Sequence, residues 1–241
     1  MRNSTAKRLA VAIVTAATIV VAVFSMSRLL RHREPHVEVD RALYPVMGID
    51  ISAHNGLIDF DSVAAADIDF VYIKASEGDT FRDIAFPYNL LHARDAGLAV
   101  GAYHFFRFDC DGRTQAENLL SAIDRINLDL PIAIDIEEWG NPADIETELI
   151  VSRLETMQAI LEAQNFRVIF YTNKNGYTRF FKRLSSPNAQ LWICSFTNPP
   201  IAAEWRFWQH SHIGRIPGAS TVVDLNTFNG SEADFQNWIA Q

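Results

Sequence analysis

Cysteine is scarce in this sequence. Its 241 residues contain two, Cys110 and Cys194, with no C-x-x-C pair. That spacing excludes a zinc ribbon or a thiol-redox motif. A disulfide between them is left open by the sequence. Other reactive motifs are missing as well. His54, His92, His104, His210 and His212 form no H-E-x-x-H helix, no loop has EF-hand spacing, and no G-x-S-x-G turn offers a serine nucleophile. The turn after the first apolar run, Asp50-Ile51-Ser52-Ala53-His54-Asn55-Gly56, lacks the glycines of a dinucleotide fingerprint. No catalytic metal or cofactor is expected.

Basic residues are sparse where they would matter for nucleic acid. Six of the 21 Lys and Arg, and none of the 29 Asp and Glu, fall in residues 1–33, so the remainder is more acidic than the whole chain's −8. A folded part of that charge offers no basic face for a phosphate backbone. Within the first 33 residues, Leu9 to Met26 is apolar and uncharged, preceded by Arg2, Lys7 and Arg8. It reads as a targeting segment, residues 1–27, either an uncleaved signal anchor or a signal peptide. Residues 28–44 read as a tether and 45–241 as the folded domain. The domain is expected outside the cytoplasm as a monomer, held to the membrane through residues 9–26 if these are retained.

What remains is a regular rhythm. Apolar runs at 46–51, 69–75, 98–105, 130–137 and 166–171 read as strands, separated by amphipathic stretches at 83–96, 114–126, 144–164 (Asp144 as cap) and 173–184. Three more strands, 190–196, 206–210 and 221–225, follow without long helices, and 231–240 reads as a last helix. Strand–helix alternation implies a parallel sheet, and eight strands imply closure into a barrel. In such a barrel the reactive residues sit where strands end.

The acids fall there. Asp135 and Glu137, in Ile132-Ala133-Ile134-Asp135-Ile136-Glu137, are two apart and so point to one side of a strand. Asp50 ends the first strand, Glu77 follows the second, and Asp224 ends the last. Carboxylates crowded at one mouth disfavour each other's charge, so one can keep a proton at neutral pH. Tyr103, Phe105, Tyr171, Trp192 and Trp208 are placed at the same mouth. Flat rings beside an acidic cleft suit a sugar chain.

The ordered set Gly48-Ile49-Asp50-Ile51-Ser52, Tyr72-Ile73-Lys74-Ala75-Ser76-Glu77-Gly78, Gly101-Ala102-Tyr103-His104-Phe105, Asp135-Ile136-Glu137, Leu191-Trp192-Ile193, Trp208-Gln209 and Val223-Asp224-Leu225-Asn226 resembles glycoside hydrolase family 25, the Chalaropsis-type lysozymes. The resemblance implies an irregular TIM-like α/β barrel of five βα units followed by three strands. It also implies hydrolysis of the β-1,4 bond between N-acetylmuramic acid and N-acetylglucosamine in peptidoglycan. By position, Glu137 matches the family's general acid, and Asp135, Asp50 and Asp224 match its other active-site acids. Glu77 and the aromatics fall to substrate binding. Attack by an aspartate and attack by the substrate's own acetamido oxygen both remain open. Two stretches depart from the pattern: Phe196 stands where a tyrosine is usual, and Arg107 to Arg113 is unfamiliar. A chitinase of the other D-x-E class would want acids at 133 and 130, which are Ala133 and Leu130. A non-catalytic wall-binding domain would lack one of the four acids.

Overall fold

The computed structural model describes residues 37–123, 126–201 and 203–240. The apolar segment 9–26 and most of the expected tether lie outside the described residues. Among the described residues, no helix is long and apolar enough to cross a membrane.

The elements are β1 (Met47–Ile51), α1 (Phe60–Ala64), β2 (Phe70–Glu77), β3 (Phe81–Arg82), α2 (Phe86–Asp95), β4 (Ala99–Phe105), α3 (Gly112–Ala122), β5 (Ile132–Ile136), α4 (Thr147–Ala163), β6 (Val168–Asn173), α5 (Lys174–Arg179), β7 (Gln190–Cys194), β8 (Phe207–Gly214), β9 (Val223–Phe228) and α6 (Glu232–Ile239). Strands pair in the order β1-β9-β8-β7-β6-β5-β4-β2, and β1 pairs with β2 to close an eight-stranded barrel; β3 is an added edge strand on β2. The architecture is thus an irregular TIM-like barrel of five βα units and three further strands.

Strand periodicity divides the core. Residues one apart face opposite sides of the wall. Val71 and Ile73, Val100 and Ala102, and Ile132, Ile134 and Ile136 face outward into the layer under the helices. There α4 buries Ile150, Leu154, Met157 and Leu161 at helical spacing. The alternate positions fill the barrel interior, largely with aromatics: Phe70, Tyr72, Trp192, Phe207 and Phe228. Tyr72 stacks on Trp192 with ring centroids 4.6 Å apart, and Phe70 lies 4.8 Å from Phe207. Gly48 and Gly101 make room for these rings, because a Cβ would stand 2.2 Å from the Phe70 ring and 2.5 Å from the Tyr72 ring.

Four sequence expectations are corrected. Strand β9 is antiparallel to both neighbours, so the barrel is not wholly parallel. The segment joining β8 to β9 holds no helix and is too short for a parallel crossover, which takes about a dozen residues or more. Helix α4 is preceded by Glu146, without a side-chain cap, rather than by Asp144. The stretch 173–184 breaks into α5, capped by Asn173, and a separate 3-10 turn at Phe181–Arg183. Helix α1, set by Asp59 accepting from the Ser62 N–H, has no counterpart in the sequence reading. In addition, Val37, Val39 and Tyr44, from the stretch read as tether, pack on a cluster of Leu191, Ile193, Trp205 and Trp208. Cys110 and Cys194 are separate free thiols.

Candidate active site

A groove of about 390 Å³ opens at the carboxyl ends of the parallel strands. Asp50, Asp135, Glu137 and Asp224 all line it, as do Glu77, Tyr103, Phe105, Tyr171 and Trp192. Asp135 is on β5, and Glu137 follows the strand's last residue with the same facing. Asp224 arrives differently from the sequence expectation. It lies at the start of β9 rather than its end, and reaches the mouth because β9 runs the opposite way. Its Cα is paired directly with that of Asp50.

Trp208 is the expected residue that the structure removes from the groove. On β8, Phe207 faces the interior and Gln209 faces the groove, so Trp208 points outward. There it is buried against Trp205 and donates its Nε1–H to the Ser195 carbonyl. Phe196 also lies outside the lining, packed edge-on against His212. His104 sits on the outer face, hydrogen-bonded to Ser76 and Gln115.

Several lining residues carried no role in the sequence reading: Gln209, Lys74, Arg107 and the rim residue Trp139, which is 81% exposed. Gln209 Nε2 donates to Asp50 Oδ2 at 2.9 Å, and its Oε1 accepts the Tyr171 hydroxyl at 2.8 Å. The groove's two full cations are both drawn to Glu77, Lys74 at 2.8 Å and Arg107 at 3.9 Å. Arg107 also donates to the Gly140 carbonyl and so ties the rim loops after β4 and β5 together. The unfamiliar 107–113 stretch therefore shapes the groove edge. Asn141 completes the brace. Its Nδ2 donates to the carbonyls of Phe106 and Glu137, both at 2.9 Å, and its Oδ1 accepts the Phe108 N–H at 2.7 Å.

Burial governs the acids. It raises Glu137 to about 7, with the Asp50 charge adding to the effect and the Tyr171 hydroxyl, 3.5 Å away, opposing it. Asp224 is raised to about 9, first by burial and then by Asp50. Burial and the Glu137 charge push Asp135 well above the carboxylate range, and its Oδ1 is buried without a hydrogen-bond partner. Asp50 is raised by burial too, but hydrogen bonds from Asn226, Gln209 and Asp224 oppose that. The groove is therefore built to hold protons at neutral pH, as general acid catalysis requires. Among the described residues, no group of three His, Cys, Asp or Glu is arranged to hold a metal ion.

A closed barrel with proton-holding carboxyls gathered over one open groove has the form of an acid-catalysing hydrolase. Comparison with known proteins gives the family. The Glycosyl hydrolases family 25 profile matches residues 49–219, and the chain belongs to that family. It is 34% identical over 205 residues to Lysozyme M1 of Streptomyces globisporus, covering 78% of this chain and 69% of that one. A family 25 glycosyl hydrolase structure from Bacillus anthracis superposes with a TM-score of 0.78 at 32% identity, covering 85% of this chain and 97% of the other. The bacterial lysozyme from Streptomyces coelicolor gives 0.70 at 30%, covering 79% and 94%. The chain is accordingly a glycosidase of the lysozyme family.

Proposed function

We propose that this glycosidase cleaves the β-1,4 bond between N-acetylmuramic acid and N-acetylglucosamine in peptidoglycan, with Glu137 as the general acid. The observation that carries the assignment is Glu137's position. It is a carboxyl raised to about 7, on the groove wall, with a second acid two residues away facing the same space. Protonated Glu137 gives its proton to the glycosidic oxygen as the bond from that oxygen to the anomeric carbon breaks. The positive charge left on the sugar is finally quenched by water, whose proton returns to the Glu137 carboxylate. Asp135 stands beside Glu137 in the groove lining, with its Oδ1 buried and without a hydrogen-bond partner. Tyr103, Phe105, Tyr171 and Trp192 give the sugar rings an apolar wall.

Peptidoglycan lies outside the cytoplasm, so the reading requires export, with residues 9–26 as the signal or the membrane anchor. The test is digestion of purified peptidoglycan followed by muropeptide analysis. New reducing ends on muramic acid are expected from the unaltered domain and none from Glu137→Gln. Intact wall after digestion with the unaltered domain would make the protein a binder.

A further inference from the structure

Trp192, Asn226 and Gln209 are buried beneath the groove. Trp192 Nε1–H donates to Asn226 Oδ1 at 2.9 Å. An indole nitrogen only donates, so this bond dictates which end of the Asn226 amide faces it. The other end, Nδ2, then faces Asp50 and donates to Oδ2 at 2.8 Å. Gln209 Nε2 donates to the same oxygen, while Gln209 Oε1 accepts a hydrogen bond from the Tyr171 hydroxyl. Two N–H donors on Asp50 Oδ2 favour its ionised form, and Trp192 holds Asn226 in the orientation that supplies one of them.

We propose that Trp192, Asn226 and Gln209 are positioning residues that fix Asp50 as the groove's standing anion, and that the charge held there adds to burial in keeping the proton on Glu137. The proposal rests on Glu137 being the acid. It gives Trp192 a role through its N–H, distinct from any contact of its ring with sugar.

The other groups facing Asp50 agree with this assignment. From β9, Asp224 shares a hydrogen bond with Asp50 that needs a proton, and Asp224 is the partner raised to about 9. From β4, β6 and β7, Tyr103, Tyr171 and Cys194 are pushed up by burial and stay neutral. From β5, Asp135 is pushed up, and Glu137 beyond it responds to Asp50. On the rim, Lys74 and Arg107 are engaged by Glu77, and His54 stands on the turn after β1. Among the described residues no cationic side chain pairs with Asp50. Its charge is carried by amide dipoles and by Asp224's proton.

The test follows the Glu137 carboxyl by carbon-13 NMR titration, which needs no activity. In the unaltered protein its midpoint is expected near 7. In Trp192→Phe, which keeps a ring and removes the N–H, Asn226 can turn, Asp50 takes up a proton, and the Glu137 midpoint falls by about half a pH unit or more. Asp50→Asn lowers it at least as far, and Trp192→Phe added to Asp50→Asn lowers it no further, because both act through one charge. An unchanged midpoint in Trp192→Phe, or full additivity in the double variant, overturns the proposal. If Trp192→Phe does not fold, the unaltered protein decides. Asp50 must ionise at lower pH than Asp224 and Glu137, and the reverse order overturns the proposal. An active Glu137→Gln would defeat the catalytic assignment separately, leaving these titrations readable.

Discussion

Asp50 and Asp224 face each other across the antiparallel β1–β9 pair, and a hydrogen bond between their carboxyls places one proton between two buried acids. Unfolding separates them and returns both to water, where each ionises near 4. The pair therefore makes the folded state a proton-binder. This has a consequence for stability as well as for chemistry.

Asp224 is raised to about 9 in the fold. From its unfolded pKa near 4 up to about 9, the folded state binds a proton that the unfolded state has lost, so stability falls as pH rises through this window. Asp224→Asn removes the titration and keeps an N–H to offer Asp50. It is expected to melt above the unaltered domain at pH 8, by about 2–4 °C for each ~1 kcal/mol recovered, with the gap shrinking towards pH 5. Melting curves at the two pH values check this, and an equal gap at both would contradict it.

The aromatic interior depends on close backbone approach at two positions. A Cβ at residue 48 would stand 2.2 Å from the Phe70 ring. Gly48→Ala is expected to cost about 1–3 kcal/mol in urea denaturation, the usual range for forcing extra volume into a packed core. Gly48→Ala combined with Phe70→Leu should lose less than the two single changes summed, because the smaller side chain vacates the space.

Asn141 does not line the groove, yet it ties the loop carrying Glu137 to the loop after β4. Asn141→Ala releases Glu137's backbone while leaving the sugar-facing rings in place. The expected result is a kcat loss of about tenfold or more with KM changed little, since small displacements of a catalytic group cost rate more than binding. A rise in KM at constant kcat would show that the brace serves binding instead.

Particular residues show how far the chain could be read before folding. The period-two spacing of Asp135 and Glu137 among Ile132, Ile134 and Ile136 announces a same-facing pair on a buried strand, and strand–helix alternation announces the barrel. Strand direction has no such signature. A run like Val222-Val223-Asp224 reads equally well either way, so Asp224 was placed at the right mouth with its strand reversed. Trp208 failed on parity, because a shift of one residue turns a side chain through the barrel wall. Gln209 stands in the Trp208-Gln209 motif, yet its role was not legible, for another reason. Its meaning lies in partners 159 and 38 positions away, Asp50 and Tyr171, whose convergence no local pattern encodes. Helix α1 is too short for helical periodicity to show, and only its Asp59 cap marks it.

The pH dependence of kcat/KM on purified peptidoglycan tests the central claim most directly. On the proposed assignment Glu137 must carry its proton to act, and burial raises its carboxyl to about 7. Activity is therefore expected to fall about tenfold per pH unit above that point, and Glu137→Gln should show no measurable cleavage at any pH. Activity that holds level to pH 9, or a Glu137→Gln variant that cleaves at near-normal rate, would contradict the account.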